Sequence, residues 1–295
     1  KKKYIMIFVN CFFFIVLALV TFIYLCKKNK FLLNFSGNNH QKFTSSKNTP
    51  LVGGAMLVCF FLFFVEISIL FKLFIFLIFI IGFFSDLNFL ASPKNKLIYL
   101  FIAVFLSLYY MDVAVDSTRI DILDYFLENK IFAILFSSFC ILIIINGTNF
   151  IDGNNTNVIG YYLVVTFILI TLLDQGYQVI DKIYIFLIIE CLLILYLFNL
   201  FNKIYIGDSG SFLLGFFYSV LLIKLYNLNN SLSPFFIILI LWYPGFENLF
   251  SIIRKFFTSR KPIEPDNDHF HQLVFYYLKK KLDLHTNFLN SLVGI

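Results

Sequence analysis

Apolar residues run through this chain in long unbroken blocks, and the polar residues are confined to the short segments between them. A helix needs about 20 apolar residues to cross about 30 Å of hydrocarbon. Blocks near 4–26, 51–65, 68–84, 97–111, 131–145, 158–173, 183–201, 211–226 and 234–249, with a last one beginning near 286, approach or reach that length. They do not alternate at period two, and lipid supplies no water to satisfy backbone groups, so the pattern predicts helices and not a closed barrel. The expected fold class is all-α, a polytopic transmembrane helical bundle of about ten spans with its polar loops on the cytoplasmic side. The loops are too short for a second domain and no internal repeat is visible, so residues 1–295 read as a single integral-membrane domain. The chain opens Lys1-Lys2-Lys3 without Met and stops inside its last apolar block, so both ends are expected to be trimmed.

Composition sharpens this. Hydrophobic residues make up 60% of the chain, aromatic residues 20% and charged residues only 14%, with a mean hydropathy of +0.86. A soluble domain carries about 25% charged residues, so that class is excluded, as is disorder. Lys and Arg number 23 against 17 Asp and Glu, but beside 42 Phe the net +6 decorates a membrane protein, and nucleic acid is not an expected partner. The basic residues fall mainly in alternate loops, among them Lys27, Lys28, Lys94, Lys96, Lys203, Arg254, Arg260 and Lys279 to Lys281. The other set holds the acidic stretch Asp112, Asp116, Asp121, Asp124 and Glu128. Retention of Lys and Arg in the cytoplasm places the first set inside and the N-terminus outside, where Lys1 to Lys3 break the rule. The block 4–26 exceeds a signal-peptide core and is read as an uncleaved span. Cys11, Cys26, Cys59, Cys140 and Cys191 lie in or beside apolar blocks without C-x-x-C spacing, and read as small hydrophobes.

Four polar stretches stand at ends of spans in loops assigned to one face. They are Ser85-Asp86 with Lys94 and Lys96; Asn146 to Asn155; Gly207-Asp208-Ser209-Gly210-Ser211; and Pro265-Asp266-Asn267-Asp268-His269-Phe270-His271-Gln272. Asn146, Asn149 and Asp152 recur every three residues, so they neighbour one another on a helical turn, and a carboxylate with amide oxygens suits a hard cation. The ordinary reading of such a stretch is a capped helix end, which has equal weight. The glycines of the third stretch let backbone N–H groups approach a phosphate, and Asp208 could hold a metal bridging it; no Gly-Lys-Ser/Thr follows, so this is no Walker A loop. Asp86, Lys94 and Lys96 suit a phosphate needing charge and orientation, though lysines at span ends are more often plain inside-flanking charge. The His-x-His pair can donate to phosphate, whereas a zinc site lacks further ligands at the right spacing. Phe270, Leu273, Val274, Tyr277 and Leu278 recur at helical spacing beside Lys279 to Lys281, which predicts an amphipathic helix on the inner leaflet.

Together these stretches resemble, in order, spacing and sidedness, the polyprenyl-phosphate N-acetylhexosamine-1-phosphate transferases of glycosyltransferase family 4. The resemblance runs from Thr49-Pro50-Leu51-Val52-Gly53-Gly54 to Leu273, about three quarters of the chain. It implies a metal-dependent exchange in which a polyprenyl phosphate attacks the sugar-proximal phosphorus of a UDP-sugar and releases UMP. It implies catalytic roles for Asp86, Asp152 and Asp208, and substrate contacts for Lys96, Asn149, Asn155, His269 and His271. Mg²⁺, with Mn²⁺ as a substitute, would rest on Asp208, Asn155 and Asp152. The implied partners are the UDP-sugar, polyprenyl phosphate and membrane lipid, with a homodimer left open, in the bacterial inner membrane with the site facing the cytoplasm. The spacing of the histidines favours the branch that initiates O-antigen, hence UDP-GlcNAc.

Two positions depart from the family pattern. Ser85 stands where the family has the first of two aspartates, and Gln272 where one version has a further His. The nucleophile is a phosphate with a second pKa near 6, already largely dianionic at neutral pH, so a general base has little to remove and activity is expected to survive Ser85. A transporter or flippase is the rival reading. It would carry ionisable groups mid-membrane, where this chain offers only Glu190.

Overall fold

A computed structural model describes residues 2–33, 49–258, 269–282 and 285–294. The predicted motif residues Pro265 to Asp268, and Arg260 beside them, lie outside the described residues. The elements are α1 (Lys2–Asn29), α2 (Gly53–Phe64), α3 (Ile69–Asp86), α4 (Pro93–Met111), α5 (Asp121–Leu127), α6 (Lys130–Ile151) and α7 (Asn157–Asp174). They continue with α8 (Lys182–Leu200), α9 (Gly207–Leu228), α10 (Pro234–Ile240), α11 (Trp242–Phe257), α12 (Phe270–Lys281) and α13 (Thr286–Val293). All are helical, and seven among the described residues are long and apolar enough to cross a bilayer. The chain is an integral membrane protein.

The span count differs from the sequence expectation at three places, each for a reason of length or direction. α2 has 12 residues, about 18 Å at 1.5 Å per residue, too short to cross the hydrocarbon. The block 234–249 is split, because α10 and α11 meet at Leu241 with a 78° bend; counted as one span the pair makes the total eight. The block beginning near 286 forms the eight-residue α13, which turns back against α12 and does not span. The acidic stretch between α4 and α6 also holds α5, tied down by Asp124, whose carboxylate accepts from the hydroxyls of Ser117 and Thr118 and the backbone N–H of Arg119.

α9 is the axis of the bundle. Nearly every residue from Gly207 to Tyr226 is buried, and α2, α3 and α6 pack around it. Lipid tails are as apolar as leucine, so polar contacts and close backbone approach hold such helices together more than hydrophobicity does. Thr148 on α6 and the Tyr162 hydroxyl on α7 lie 2.7 Å apart, Thr166 meets the Tyr218 hydroxyl on α9, and the two tyrosine rings stack at 4.5 Å. Glu190 of α8, a carboxylate well inside a span, lies beside the Cys11 thiol of α1, and its Oε2 is buried without a hydrogen-bond partner.

At the crossing of α6 and α11 the backbones nearly touch: a methyl group on Gly147 would lie 1.9 Å from the Pro244 carbonyl oxygen. Backbone atoms cannot swing aside as a side chain can. Gly147→Ala should therefore lower the thermal midpoint in detergent by the equivalent of about 1–3 kcal/mol. Gly245→Ala, whose methyl would meet only Ile144 Cδ1 at 3.4 Å, should leave the midpoint unchanged or slightly raised.

Candidate active site

The site is built at the end of the bundle where α3, α6 and α8 stop and α4, α7 and α9 begin. Gly207 opens α9 with φ +73°, and Ile206 before it offers no side-chain cap. Pro50 to Gly54 brace this start, since Tyr205 N–H donates to the Pro50 carbonyl, and Gly53 and Gly54 donate to the carbonyls of Tyr205 and Ile206. The unpaired N–H groups of the first turn are taken by carboxylates from other helices. Asp86 Oδ1 accepts from Asp208 N–H at 2.8 Å, and its Oδ2 accepts from Ser209 N–H at 3.1 Å and the Ser209 hydroxyl at 2.6 Å. Gly207 N–H bonds Asp152. A side chain at 207 would meet both Asp86 oxygens within 2.9 Å, so glycine serves the left-handed backbone and the approach of the carboxylate together.

Asp208 leaves this turn toward a different set of donors. Lys96 Nζ donates to Oδ2 at 2.8 Å, the Ser85 hydroxyl donates to the same oxygen, and Asn149 Nδ2 donates to Oδ1 at 2.7 Å. Side chains of Lys96 and Asp208 remain about a quarter exposed. Of the expected residues, Asp86, Lys96, Asn149, Asp152 and Asp208 are thus brought together. Burial, with the charges of Asp208 and Asp86 beside it, pushes the Asp152 carboxyl well above the ordinary carboxylate range.

Two members of the Asn-Asp stretch stand elsewhere. Asn146 donates to Asn248 Oδ1 at 3.0 Å and so ties α6 to α11. Asn155, expected at the metal, donates to Asn202 Oδ1 at 2.6 Å and to Ser291 of α13, while its N–H meets Asn290 Oδ1. None of these bonds reaches the aspartates. The three-residue period that puts both on the face of Asp152 ends with α6 at Ile151, and the chain turns before Asn155.

The histidines close the site from the side of α11. His271 is buried, its Nε2 faces Gly153, and neither ring nitrogen has a partner; Asn154 Oδ1 nearby is likewise unpartnered. Orphaned buried polar atoms of this kind are rare in a finished protein interior and point to a polar ligand or water beside them. His269 stacks on Phe150 and approaches Glu247 of α11. Glu247 is a contact that residue spacing does not single out; its signal is a carboxylate in an otherwise apolar first half of a helix.

Mg²⁺ keeps several waters and binds through one or two carboxylates plus substrate phosphate. Among the described residues no three His, Cys, Asp or Glu side chains form a closed metal cage. The donor set fits an open site: Asp86 has both oxygens committed to α9, whereas Asp208 Oδ1 accepts one hydrogen bond and Asp152 is held by one backbone N–H. Asp208 and Asp152 are the carboxylates that could hold such an ion.

Asp86→Ala would strand the amides of Asp208 and Ser209 in a buried place at about 1–3 kcal/mol for each unsatisfied group. Its thermal midpoint should fall well below that of Ser85→Ala, which removes a donor from a carboxylate that keeps two others. A second outcome concerns acid. Burial, reinforced by His269 and opposed by Glu247, pushes the His271 imidazole down from 6.5 to about 3. Its neutral form is favoured by folding, so that stabilisation is complete above pH 6.5 and is lost as pH falls toward 3. Midpoints measured across that window should drop more steeply in the native chain than in His271→Gln.

The family model described as glycosyl transferase family 4 matches residues 67–226, more than half of the chain. A stretch of 78 residues, 25% of this chain and 21% of the relative, is 36% identical to a probable undecaprenyl-phosphate N-acetylglucosaminyl 1-phosphate transferase of Bacillus subtilis (strain 168). Another of 71 residues, 24% of this chain and 23% of the relative, is 31% identical to the undecaprenyl-phosphate alpha-N-acetylglucosaminyl 1-phosphate transferase of Thermotoga maritima. The matched stretches span less than a quarter of each relative's own length. On the family match, this chain is a member of glycosyl transferase family 4.

Proposed function

We propose that the protein transfers a sugar-1-phosphate, GlcNAc-1-phosphate in the first instance, from a UDP-sugar to polyprenyl phosphate at the cytoplasmic face of the bacterial plasma membrane. The observation that carries this reading is the convergence of Asp86, Asp152, Asp208, Lys96 and Asn149 at one end of a membrane bundle belonging to this family. The names of the two relatives support the lipid acceptor and the sugar. A transporter is disfavoured because these charged groups gather at one end of the bundle.

In this reading the phosphate of the lipid attacks the sugar-proximal phosphorus of the UDP-sugar and UMP leaves, so the protein supplies position and charge compensation more than covalent chemistry. Mg²⁺ on Asp208 and Asp152, when bound, supplies positive charge to the diphosphate. Lys96 brings an ammonium group to the same place, and Asn149 and Ser85 keep the Asp208 carboxylate aimed by donating to its two oxygens. Asp86 acts through the backbone, by seating the turn from which Asp208 projects. The neutral imidazole of His271 can donate one hydrogen bond to a phosphate oxygen at no cost in charge burial.

The test is incubation of the purified protein with radiolabelled UDP-GlcNAc, polyprenyl phosphate and Mg²⁺. Label should pass to the lipid extract with UMP released, and Asp208→Ala should lower the rate by a factor of about 10² or more while remaining in the membrane fraction. Movement of intact UDP-sugar or lipid without covalent change would favour the transporter. Ser85→Ala should retain activity; a native chain that is inactive until Ser85 is changed to Asp would show that the missing family aspartate is a needed base. Chelation of divalent ions should stop transfer, and Mn²⁺ should restore part of it.

A further inference from the structure

Glu247 is nearly sealed from solvent, 2% exposed, and His269 opposite it is 4% exposed. Glu247 Oε2 lies 2.9 Å from His269 Nδ1, while Oε1 accepts the backbone N–H of Phe270 at 3.0 Å. Phe270 is the first residue of α12, so one carboxylate holds the histidine ring and also caps the helix that carries His271. The ring itself is set between aromatic neighbours, with its centroid 4.8 Å from that of Phe150 and 5.9 Å from that of His271, to which it is parallel within 1°. An ionised carboxylate, as Glu247 is beside these two donors, has only acceptor capacity for the ring. Nδ1 must therefore carry the hydrogen, whether the imidazole is neutral or protonated, and Nε2 is the nitrogen that takes no part in the contact.

We propose that Glu247 is a positioning residue: it fixes the tautomer and plane of His269 and seats the first turn of α12, so that His269 Nε2 and His271 are presented together to the diphosphate of the nucleotide-sugar. The role in substrate binding rests on the transferase reading above; the tautomer does not. The physical reason for a carboxylate here is that the histidine motif enters on its own short helix and is held to α11 by this contact. An aromatic stack fixes the plane of a ring but leaves its two nitrogens interchangeable by a flip. The carboxylate removes that freedom.

The experiment has two arms. In the first, histidine ¹⁵N NMR of the full chain in nanodiscs, with His269 assigned through a His269→Gln variant, should show the Nδ1–H tautomer at alkaline pH. Glu247→Gln keeps the shape but can either accept from Nδ1–H or donate to a bare Nδ1, so it should give a mixture of tautomers. In the second arm, Glu247→Gln should raise KM for the UDP-sugar about tenfold or more, as is usual for loss of a partner that orients a functional histidine. KM for polyprenyl phosphate should be unchanged, and Glu247→Asp should recover part of the loss. An Nε2–H tautomer in the native protein, or a Glu247→Gln variant with native KM and a native spectrum, would overturn the proposal. A native chain that transfers no sugar phosphate but shows the Nδ1–H tautomer lost in Glu247→Gln would sink the transferase reading and leave the orienting role of Glu247 standing.

Discussion

The first turn of any α-helix leaves backbone N–H groups without intrahelical partners, and inside a membrane bundle water cannot be relied on to take them. α9 faces this problem in an acute form, because it is the most enclosed helix and the residue before it carries no capping group. Its amides are satisfied from outside: those of Asp208 and Ser209 by Asp86 at the end of α3, that of Gly207 by Asp152 just past α6. The positive end of the α9 dipole in turn stabilises both carboxylates. Three helices are locked at one point by bonds that each have a structural purpose. The side chain of Asp208 leaves that same turn, so the contacts that seat the axis of the bundle also aim its polar end.

Locking the helices with carboxylates creates a charge problem. The charges of Asp208 and Asp86 stand beside the Asp152 carboxyl, and Lys96 brings an ammonium group to Asp208. The excess is negative, in a place where the dielectric is low and like charges repel more strongly than in water. The proposed cation would offset that charge. The same reasoning gives Ser85 a physical role. An aspartate at that position would place a fourth carboxylate against Asp208, whereas the hydroxyl donates to Oδ2 and needs no counter-charge. The departure from the family pattern lowers the local negative charge at the cost of one ligand oxygen.

The sequence made the helical class and the polar end of the bundle legible for different reasons. Long apolar blocks have one stable form in lipid, and motif residues at the ends of alternate spans must share a face, so Asp86, Lys96, Asn149, Asp152 and Asp208 could be grouped before any coordinates. What the sequence hides is where the chain turns. Asn155 keeps the three-residue step of Asn149 and Asp152, but α6 ends at Ile151 and the amide swings to Asn202 and Ser291. Hydropathy counts apolar residues and is blind to direction, so the bend at Leu241 and the return of α13 on α12 went unforeseen. Asp86, expected as a catalytic group, has both oxygens engaged by backbone amides of α9, a pairing that residue type and spacing do not reveal.

α11 shows why patterning must be read differently in lipid. Glu247, Asn248, Ser251 and Lys255 are buried on one of its faces, while Phe246, Phe250, Ile253 and Phe257 are exposed on the other. In water that arrangement would be inside out, since an amphipathic helix turns its apolar stripe to the core. Against a bilayer it is the stable choice: phenylalanines meet hydrocarbon without penalty, and the polar face finds partners in α6 and in the histidine motif. The bend that separates α11 from α10 lets a helix with this polarity run beside the site, one side in contact with lipid and the other holding His269. The proposed reaction would join a lipid phosphate to a soluble nucleotide-sugar, and a helix with one apolar and one polar face offers such a boundary.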